Sequence, residues 1–301
     1  MLSRRFLATA VGSAALMGAA GLAVLPGAAS ARTAARAQAT VHPVAAADIV
    51  SPGGPMVHGQ AVGHTSAQAA AGQRFSVAEQ SLNWSGFTVT SSTKFTYAQS
   101  RFVEPTLTCT GDHANEWSSN WVGLDGFNDG TVEQTGTAAH CGGPSNTRPV
   151  YKAWYEMYPA GSVNVFSVSP GDTINTSVSF RNGKFTLTVA DITTGKSAKH
   201  SAKCGSCKRA SAEWIVERPE LCTSATHCFI THLANFGSTS LSAKVRVAGV
   251  SAAQGIPNFR NYNITMVASQ TDSTPLDTVG KVSSNSFPVT FAEAGPTVPV
   301  S

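Results

Sequence analysis

The sequence has little charge and no strong charge imbalance in its main part. Charged residues make up 13% of the 301 residues, against about a quarter in a typical soluble protein. The net charge of +4 comes from residues 1–78, which contain five arginines and one acidic residue, Asp48. Positive and negative charges cancel in the rest of the chain, so neither nucleic acid nor an anionic membrane is an expected partner. We also expect a monomer.

Several familiar catalytic motifs are absent. The sequence has no D-T-G or D-S-G tripeptide, no H-E-x-x-H and no G-x-S-x-G, which excludes the usual aspartic, zinc and serine hydrolase signatures. Three of its eight histidines (His42, His58 and His64) precede the main body, and the others show no metal-ligand spacing. We therefore expect no metal and no cofactor, and a hydrolase built on this sequence would use a carboxylate for acid–base chemistry.

Amphipathic helices are also missing after residue 80. Short apolar, β-branched runs alternate with Gly/Asn/Asp/Pro turns, and "FRNGKFTLTV" predicts a hairpin whose Asn-Gly pair forms a two-residue turn. Many short strands at regular spacing predict an all-β fold, a two-sheet antiparallel β-sandwich or jelly roll.

The N-terminal part is typical of an exported protein. Residues 1–31 have a basic start, an apolar Ala/Gly/Leu/Val run and a closing "ASA", which predicts a cleavable signal of the Sec or twin-arginine type and a secreted protein without a stable membrane anchor. Residues 32–78 are poor in aromatics and charge, which predicts a disordered leader or propeptide, with a plain linker as the alternative. Residues 79–301 are the predicted folded domain.

Six cysteines form an even set, for which disulfide bonds are the default in an exported chain. Cys109 and Cys141 are the favoured pair. The sequence does not choose among the three pairings of the other four, Cys204, Cys207, Cys222 and Cys228. Zinc binding by these four is an open alternative.

One strand carries a carboxylate among bulky apolar residues. In "SAEWIVERPE" a period of two places Glu213, Ile215 and Glu217 on one face, and Trp214 and Val216 on the other. Burial of a carboxylate raises its pKa and costs free energy. This pattern marks Glu213 as a candidate for chemistry.

Two other strands show the same division. Alternation in "WVGLDG" puts Trp121 and Asp125 on one face, and alternation in "YKAWYEMYP" does the same for Trp154 and Glu156. A face that mixes aromatic side chains with carboxylates is suited to a groove for an extended ligand. An ordinary solvated face is the alternative.

Eight short motifs follow one another along the chain: "NWSG", "WVGLDG", "VEQTG", "YKAWYEMYP", "SPGDTI", "TTGK", "AEWIVERP" and "ANFG". Their order resembles the glutamic peptidase (eqolisin) family over roughly residues 83–250. The resemblance implies a β-sandwich with a concave substrate groove and an acid endopeptidase that acts on proteins or peptides. The alanine-rich signal favours a bacterial member.

The resemblance also implies roles for individual residues. The catalytic pair of the family falls on Gln134 and Glu213, and Glu217 is placed to support the catalytic carboxylate. The other groove residues of the family fall on Trp121, Asp125, Trp154 and Glu156. The cysteine-containing segments and the tail beyond about residue 250 match poorly, which leaves the C-terminal boundary open.

Two alternatives remain at this stage. A glycosidase could use Glu213 with Glu156 or Asp125 as its acid and base, with tryptophans stacking on sugars. A non-catalytic carbohydrate- or peptide-binding module could keep the groove without turnover. Gln134 separates these alternatives, because a glycosidase has little need of it.

Overall fold

The computed structural model describes residues 50–51, 55–59, 76–224 and 227–300, all within one compact unit formed by residues 42–301. The predicted export signal and most of the predicted leader lie outside these residues. Within the described ranges, no helix has the length and apolar character needed to cross a membrane.

The largest sheet has nine strands and carries the residues singled out above. Its order is β2-β18-β3-β12-β5-β6-β7-β8, with β15 in parallel beside the start of β5. In chain order these strands are β2 (Ser76–Ser81), β3 (Trp84–Thr90), β5 (Glu116–Leu124), β6 (Val132–Gly142), β7 (Arg148–Tyr158), β8 (Val163–Ser167), β12 (Ser211–Glu217), β15 (His232–Leu233) and β18 (Arg260–Met266).

A second sheet of five strands packs against the inner face of the first. Its order is β11-β10-β9-β4-β17. All its pairings are antiparallel. The larger sheet is antiparallel except where β15 pairs with β5 and β18 with β2, so the two sheets form the predicted, mainly antiparallel β-sandwich. The strands are β4 (Phe95–Val103), β9 (Thr173–Arg181), β10 (Lys184–Asp191), β11 (Ser197–Ala202) and β17 (Lys244–Val247).

Two small sheets complete the fold. One has the order β1-β13-β14-β21 and the other β16-β20-β19, and a short 3-10 helix spans Ile256–Asn258. The strands are β1 (Val50–Ser51), β13 (Glu220–Ser224), β14 (His227–Ile230), β21 (Val298–Val300), β16 (Ser238–Ser242), β19 (Asp277–Val279) and β20 (Ser286–Phe291).

The core between the two large sheets follows the predicted alternation. Val122 and Leu124 of β5 and Trp214 of β12 are buried with Phe185 and Leu187 of the second sheet. Burial of one such side chain stabilises the fold by about 1.5–3 kcal/mol. The predicted hairpin also forms, since β9 and β10 pair around a turn in which Asn182 and its following glycine have φ angles of 52° and 73°.

The cysteines are paired in three disulfides. Cys109 is bonded to Cys141, as predicted, and the remaining pairs are Cys204–Cys207 and Cys222–Cys228. The zinc alternative is wrong for these four residues, because their sulfurs are bonded to each other.

At both ends of the predicted domain, segments pair with the body in ways that the sequence did not predict. Strand β18, from the poorly matched tail, pairs between β2 and β3 within the largest sheet. Two pieces of the predicted disordered leader are bound to the body: β1 pairs with β13, and Pro55–Gly59 bonds to the backbone around Leu82. They are held because backbone N–H and C=O groups of the body are available to pair with them.

Candidate active site

Four residues lie in one row across adjacent strands of the largest sheet. Glu213 of β12 is opposite Gly123 of β5, Gly123 is opposite Gln134 of β6, and Gln134 is opposite Glu156 of β7. Directly paired residues in antiparallel strands share a face of the sheet. The two residues predicted as the catalytic pair are therefore on the same face and in the same row, two strands apart.

Gly123 stands between Glu213 and Gln134 in this row. Neighbouring strands are about 4.8 Å apart, so the backbones of the two residues are separated by about 10 Å. A Cβ atom on Gly123 would come within 2.9 Å of the Trp121 ring and 3.4 Å of the Gln134 Cβ. The missing side chain leaves room for the Glu213 and Gln134 side chains to converge above the strand.

The next row on the same face is aromatic and apolar. Ile215, Trp121 and Trp154 are aligned across it, with Gly136 between the two tryptophans. We call the outer surface of the largest sheet, which carries this row and the Glu213 row, the groove face. Its apolar side chains form a cluster separate from the sandwich core, which confirms the predicted placement of Trp121 and Trp154.

Gln134 is hydrogen-bonded to Glu156, its other neighbour in the row. Its Nε2 donates a hydrogen bond of 2.8 Å to Oε2 of Glu156, and both side chains are fully buried. A hydrogen bond from an amide to a carboxyl group fixes the plane of the carboxamide. The Gln134 amide dipole is therefore held in one orientation within the row.

Glu213 is a fully buried carboxyl group. Neither of its oxygens accepts a hydrogen bond of normal geometry from another described residue. Burial raises its pKa well above the ordinary value, and the nearby Asp125, Asp129 and Glu133 raise it further, while the Ser211 hydroxyl lowers it. A raised pKa makes the Glu213 carboxylate a stronger base than an exposed glutamate and lets the acid form keep its proton to a higher pH.

Glu217 lies four residues beyond Glu213 on the same face and accepts hydrogen bonds from two donors. Its Oε2 accepts a hydrogen bond of 2.7 Å from Trp121 Nε1, and its Oε1 accepts one of 3.3 Å from Asn83 Nδ2. Burial raises its pKa, and the carboxyl group of Glu156 adds to this. Glu217 therefore fixes the Trp121 ring and is electrostatically coupled to Glu156.

Strand alternation, which assigned Asp125 to the face of Trp121, does not extend to this residue. Strand β5 ends at Leu124, and Asp125 has a left-handed φ of 69°, so a period of two no longer predicts its direction. Its carboxylate accepts hydrogen bonds from the backbone N–H groups of Arg209 (2.5 Å) and Ala210 (2.7 Å). Asp125 thus anchors the loop that leads into β12, and burial raises its pKa.

Two clusters among the described residues bring three metal-ligating atoms together. Each consists of a glutamate and a disulfide pair, Glu133 with Cys204 and Cys207, and Glu220 with Cys222 and Cys228. A cystine has no thiolate to offer a metal. These clusters therefore do not fit a zinc site.

Some residues of the groove face had no role in the sequence analysis. Trp84 packs edge-on against Trp121 with ring centroids 4.9 Å apart, and Phe127 contacts Tyr262 at 4.5 Å. Trp84 belongs to the quoted "NWSG" motif, where its alternation with Gly86 and Thr88 is a usable signal. Tyr262 comes from the poorly matched tail, and only the pairing of β18 reveals its place.

Comparison with known proteins identifies the family of this chain. The model of the Peptidase A4 family matches residues 82–291, which is more than half of the chain. Aspergillopepsin-2 of Aspergillus niger is 33% identical over 139 residues, and the match covers 44% of this chain and 46% of that protein. The chain thus matches less than half the length of this curated relative.

Two solved structures share the fold. A scytalido-glutamic peptidase in complex with a transition state analog inhibitor has a TM-score of 0.60 at 22% identity. SCP-B, an eqolisin-family peptidase in complex with the tripeptide Ala-Ile-His, has a TM-score of 0.57 at 21% identity. Each match covers 70% of this chain and 98% of the other. On the match over residues 82–291, this chain belongs to the Peptidase A4 family.

Proposed function

We propose that this protein is a secreted acid endopeptidase that hydrolyses peptide bonds with Gln134 and Glu213. The observation that supports this most directly is the row in which Glu213 and Gln134 flank Gly123 on one face of the sheet. An amide donor and a carboxyl group so placed can act on one water molecule and one carbonyl group between them. Protein or peptide chains are the proposed substrates.

In the proposed mechanism Glu213 is the general base and then the general acid. Its carboxylate takes a proton from the attacking water, whose oxygen bonds to the carbonyl carbon of the scissile peptide. The same proton then passes to the amine nitrogen as the C–N bond breaks. Such proton transfer contributes about 10²–10⁴-fold to the rate. In the structure burial raises the pKa of Glu213 well above its ordinary value, so the group is protonated in mild acid while it is buried. Its role as the base therefore requires water to enter beside it when the groove opens for substrate, which would bring its pKa back toward the ordinary value of about 4.3.

Gln134 would stabilise the tetrahedral intermediate. Its amide N–H group would donate to the oxyanion, and its carbonyl oxygen would orient the water. The bond to Glu156 holds the carboxamide plane before substrate binds, which removes the cost of reorienting it during the reaction. One donor of this kind lowers the barrier by about 3–4 kcal/mol.

The proposal is tested by cleavage of denatured haemoglobin or casein by the secreted protein between pH 2 and pH 5. We expect Gln134→Ala to lower kcat by about 10²–10³-fold and Glu213→Gln to lower it by at least about 10²-fold. Glu293→Gln, at an exposed position, is the matched control and should keep full activity. Full activity in Gln134→Ala would contradict the mechanism.

The same assay separates the rival functions. Cleavage of a soluble polysaccharide but not of protein would support the glycosidase alternative, in which Gln134 has no role. No cleavage of either polymer would support a non-catalytic binding module. Activity that persists with pepstatin would exclude an aspartic protease.

We also propose that residues 1–31 direct export and that residues 32–78 are a propeptide. The three disulfides support an oxidising, extracellular environment. N-terminal sequencing of the secreted protein before and after exposure to acid tests both points. A cut near residues 75–83 accompanied by increased activity is the expected result, and full activity with the leader intact would contradict the propeptide.

A further inference from the structure

The leader segment Pro55–Gly59 lies on the groove face and bonds to the body like an added strand. The Val57 carbonyl accepts a hydrogen bond of 2.9 Å from the Leu82 N–H, and the Gly59 N–H donates one of 2.8 Å to the Gln80 carbonyl. The Met56 N–H donates to the Gly126 carbonyl at 3.2 Å. These bonds use only main-chain groups of the segment. An extended peptide of any sequence could make them.

Asn83 forms hydrogen bonds with the main chain of the segment on both sides of Met56. Its Oδ1 accepts a hydrogen bond of 2.8 Å from the Val57 N–H, and its Nδ2 donates one of 3.3 Å to the Pro55 carbonyl. The same Nδ2 donates to Glu217, which holds Trp121. A carboxamide that pairs with an N–H and a C=O two residues apart recognises peptide main chain as such. It gives no preference for a side chain.

The side chain between these two contacts is buried. Met56 is 6% exposed and belongs to the apolar cluster of the groove face. The same cluster contains Trp84, Trp121, Phe127, Ile215 and Ile264. These side chains are apolar, and a long unbranched side chain such as methionine packs well into an irregular apolar space.

We call the place that Met56 takes in this cluster the Met56 pocket, and the cluster borders the proposed catalytic row. Ile215 follows Glu213 by two residues on the same face of β12, and Trp121 precedes Gly123 by two residues on β5. Residues two apart along a strand are separated by about 7 Å. A peptide that extends along the groove face from the catalytic row would therefore reach the cluster in which Met56 is buried.

We propose that the Met56 pocket is a substrate subsite selective for a long apolar side chain, which Met56 occupies while the leader is attached. Asn83 supplies main-chain recognition there, and the apolar cluster supplies the selectivity. The inference rests on the proposed peptidase function, and it specifies which peptides that site prefers.

The test uses the full-length chain with Met56→Asp, which places a charge in the apolar pocket and frees it for a competing peptide. Met56→Leu is the matched control and should keep the pocket filled. Circular dichroism and thermal unfolding check that each variant is folded, and Met56→Ala is the second variant if the aspartate prevents folding. The added probe is a synthetic peptide of residues 53–59, GGPMVHG, and binding is followed by tryptophan fluorescence.

We expect the peptide to bind the Met56→Asp chain and to bind the Met56→Leu chain at least about tenfold more weakly. Peptides with Ala or Asp in place of Met should lose about tenfold or more in affinity, and the Leu peptide should stay within about threefold. Asn83→Ala, added to the Met56→Asp chain, should weaken all four peptides by a similar factor. Equal affinity of the Met and Ala peptides, or no binding to a folded Met56→Asp chain, would overturn the subsite.

Cleavage separates this inference from the proposed function. If the chain binds the Met peptide selectively but hydrolyses no protein in acid, the peptidase proposal fails and the binding site stands. If it hydrolyses protein without any preference for Met or Leu near the scissile bond, the peptidase stands and the subsite fails.

Discussion

At the scale of single residues, the candidate site depends on a side chain that is absent. Gly123 separates Glu213 from Gln134 in the row, and no other residue type leaves that space open. Its importance could not be predicted from "WVGLDG" alone, because the strands paired on its two sides are unknown from the sequence. The family resemblance identified the two polar residues, and the register shows what lies between them.

Substitution of this glycine tests the geometry. We expect Gly123→Ala to lower kcat by about tenfold or more, since its Cβ would meet the Trp121 ring at 2.9 Å and the Gln134 Cβ at 3.4 Å and displace the reacting groups. Gly130→Ala is the control, because a Cβ there has no neighbour within 4 Å. Steady-state kinetics on a peptide substrate compares the two. Equal activity in both variants would show that the space above Gly123 is not used.

At the scale of structural elements, alternation predicted most faces and failed where a strand ended. The sides of β5, β7 and β12 were predicted correctly because both faces of this sheet are occupied, one by the sandwich core and one by the groove cluster. Asp125 was assigned by the same rule, but its positive φ takes it out of the strand. The position of β18 could not be predicted, since pairing between strands far apart in the chain leaves little local signal.

Asp125 is expected to act through the loop that precedes β12. Asp125→Ala removes the acceptor of two backbone N–H groups, at Arg209 and Ala210, which costs about 2–3 kcal/mol. For a domain of this size we expect Tm to fall by about 4–12 °C, together with reduced activity because Glu213 follows the loop. Asp125→Asn keeps a carbonyl acceptor and should lose less than half as much. A Tm unchanged in Asp125→Ala, measured by thermal unfolding, would remove the anchoring role.

At the scale of the whole molecule, several buried carboxyl groups outside the catalytic row have raised pKa values, which favour folding in acid. Burial is the main cause that raises the pKa of Glu104 to about 8, of Glu133 to about 9 and of Asp277 to about 7. Because these groups keep their protons in the folded state and lose them near pH 4 when unfolded, the folded state binds more protons. Stability is therefore complete below about pH 4 and decreases as the pH rises toward these values.

This linkage predicts a protein that is most stable in acid. A pKa of about 7 at Asp277, against an ordinary value near 4, corresponds to about 4 kcal/mol. We therefore expect Tm to fall by at least about 8 °C between pH 4 and pH 8. Asp277→Asn keeps an acceptor for the Ser85 hydroxyl, which donates to Asp277 at 2.7 Å, and it should reduce the pH dependence. Thermal unfolding across this range is the measurement. A Tm that is constant or rises with pH would contradict the linkage.

The most direct test of the central claim is a double-mutant cycle on Gln134 and Glu213. The kcat of the acid-treated secreted protein is compared for Gln134→Ala, Glu213→Gln and the double variant on one peptide substrate. If the two side chains act as a unit on one water and one carbonyl group, the double variant should be no slower than Glu213→Gln alone by more than about threefold. Losses that multiply, or a double variant that keeps substantial activity, would show that these two residues do not form the catalytic pair.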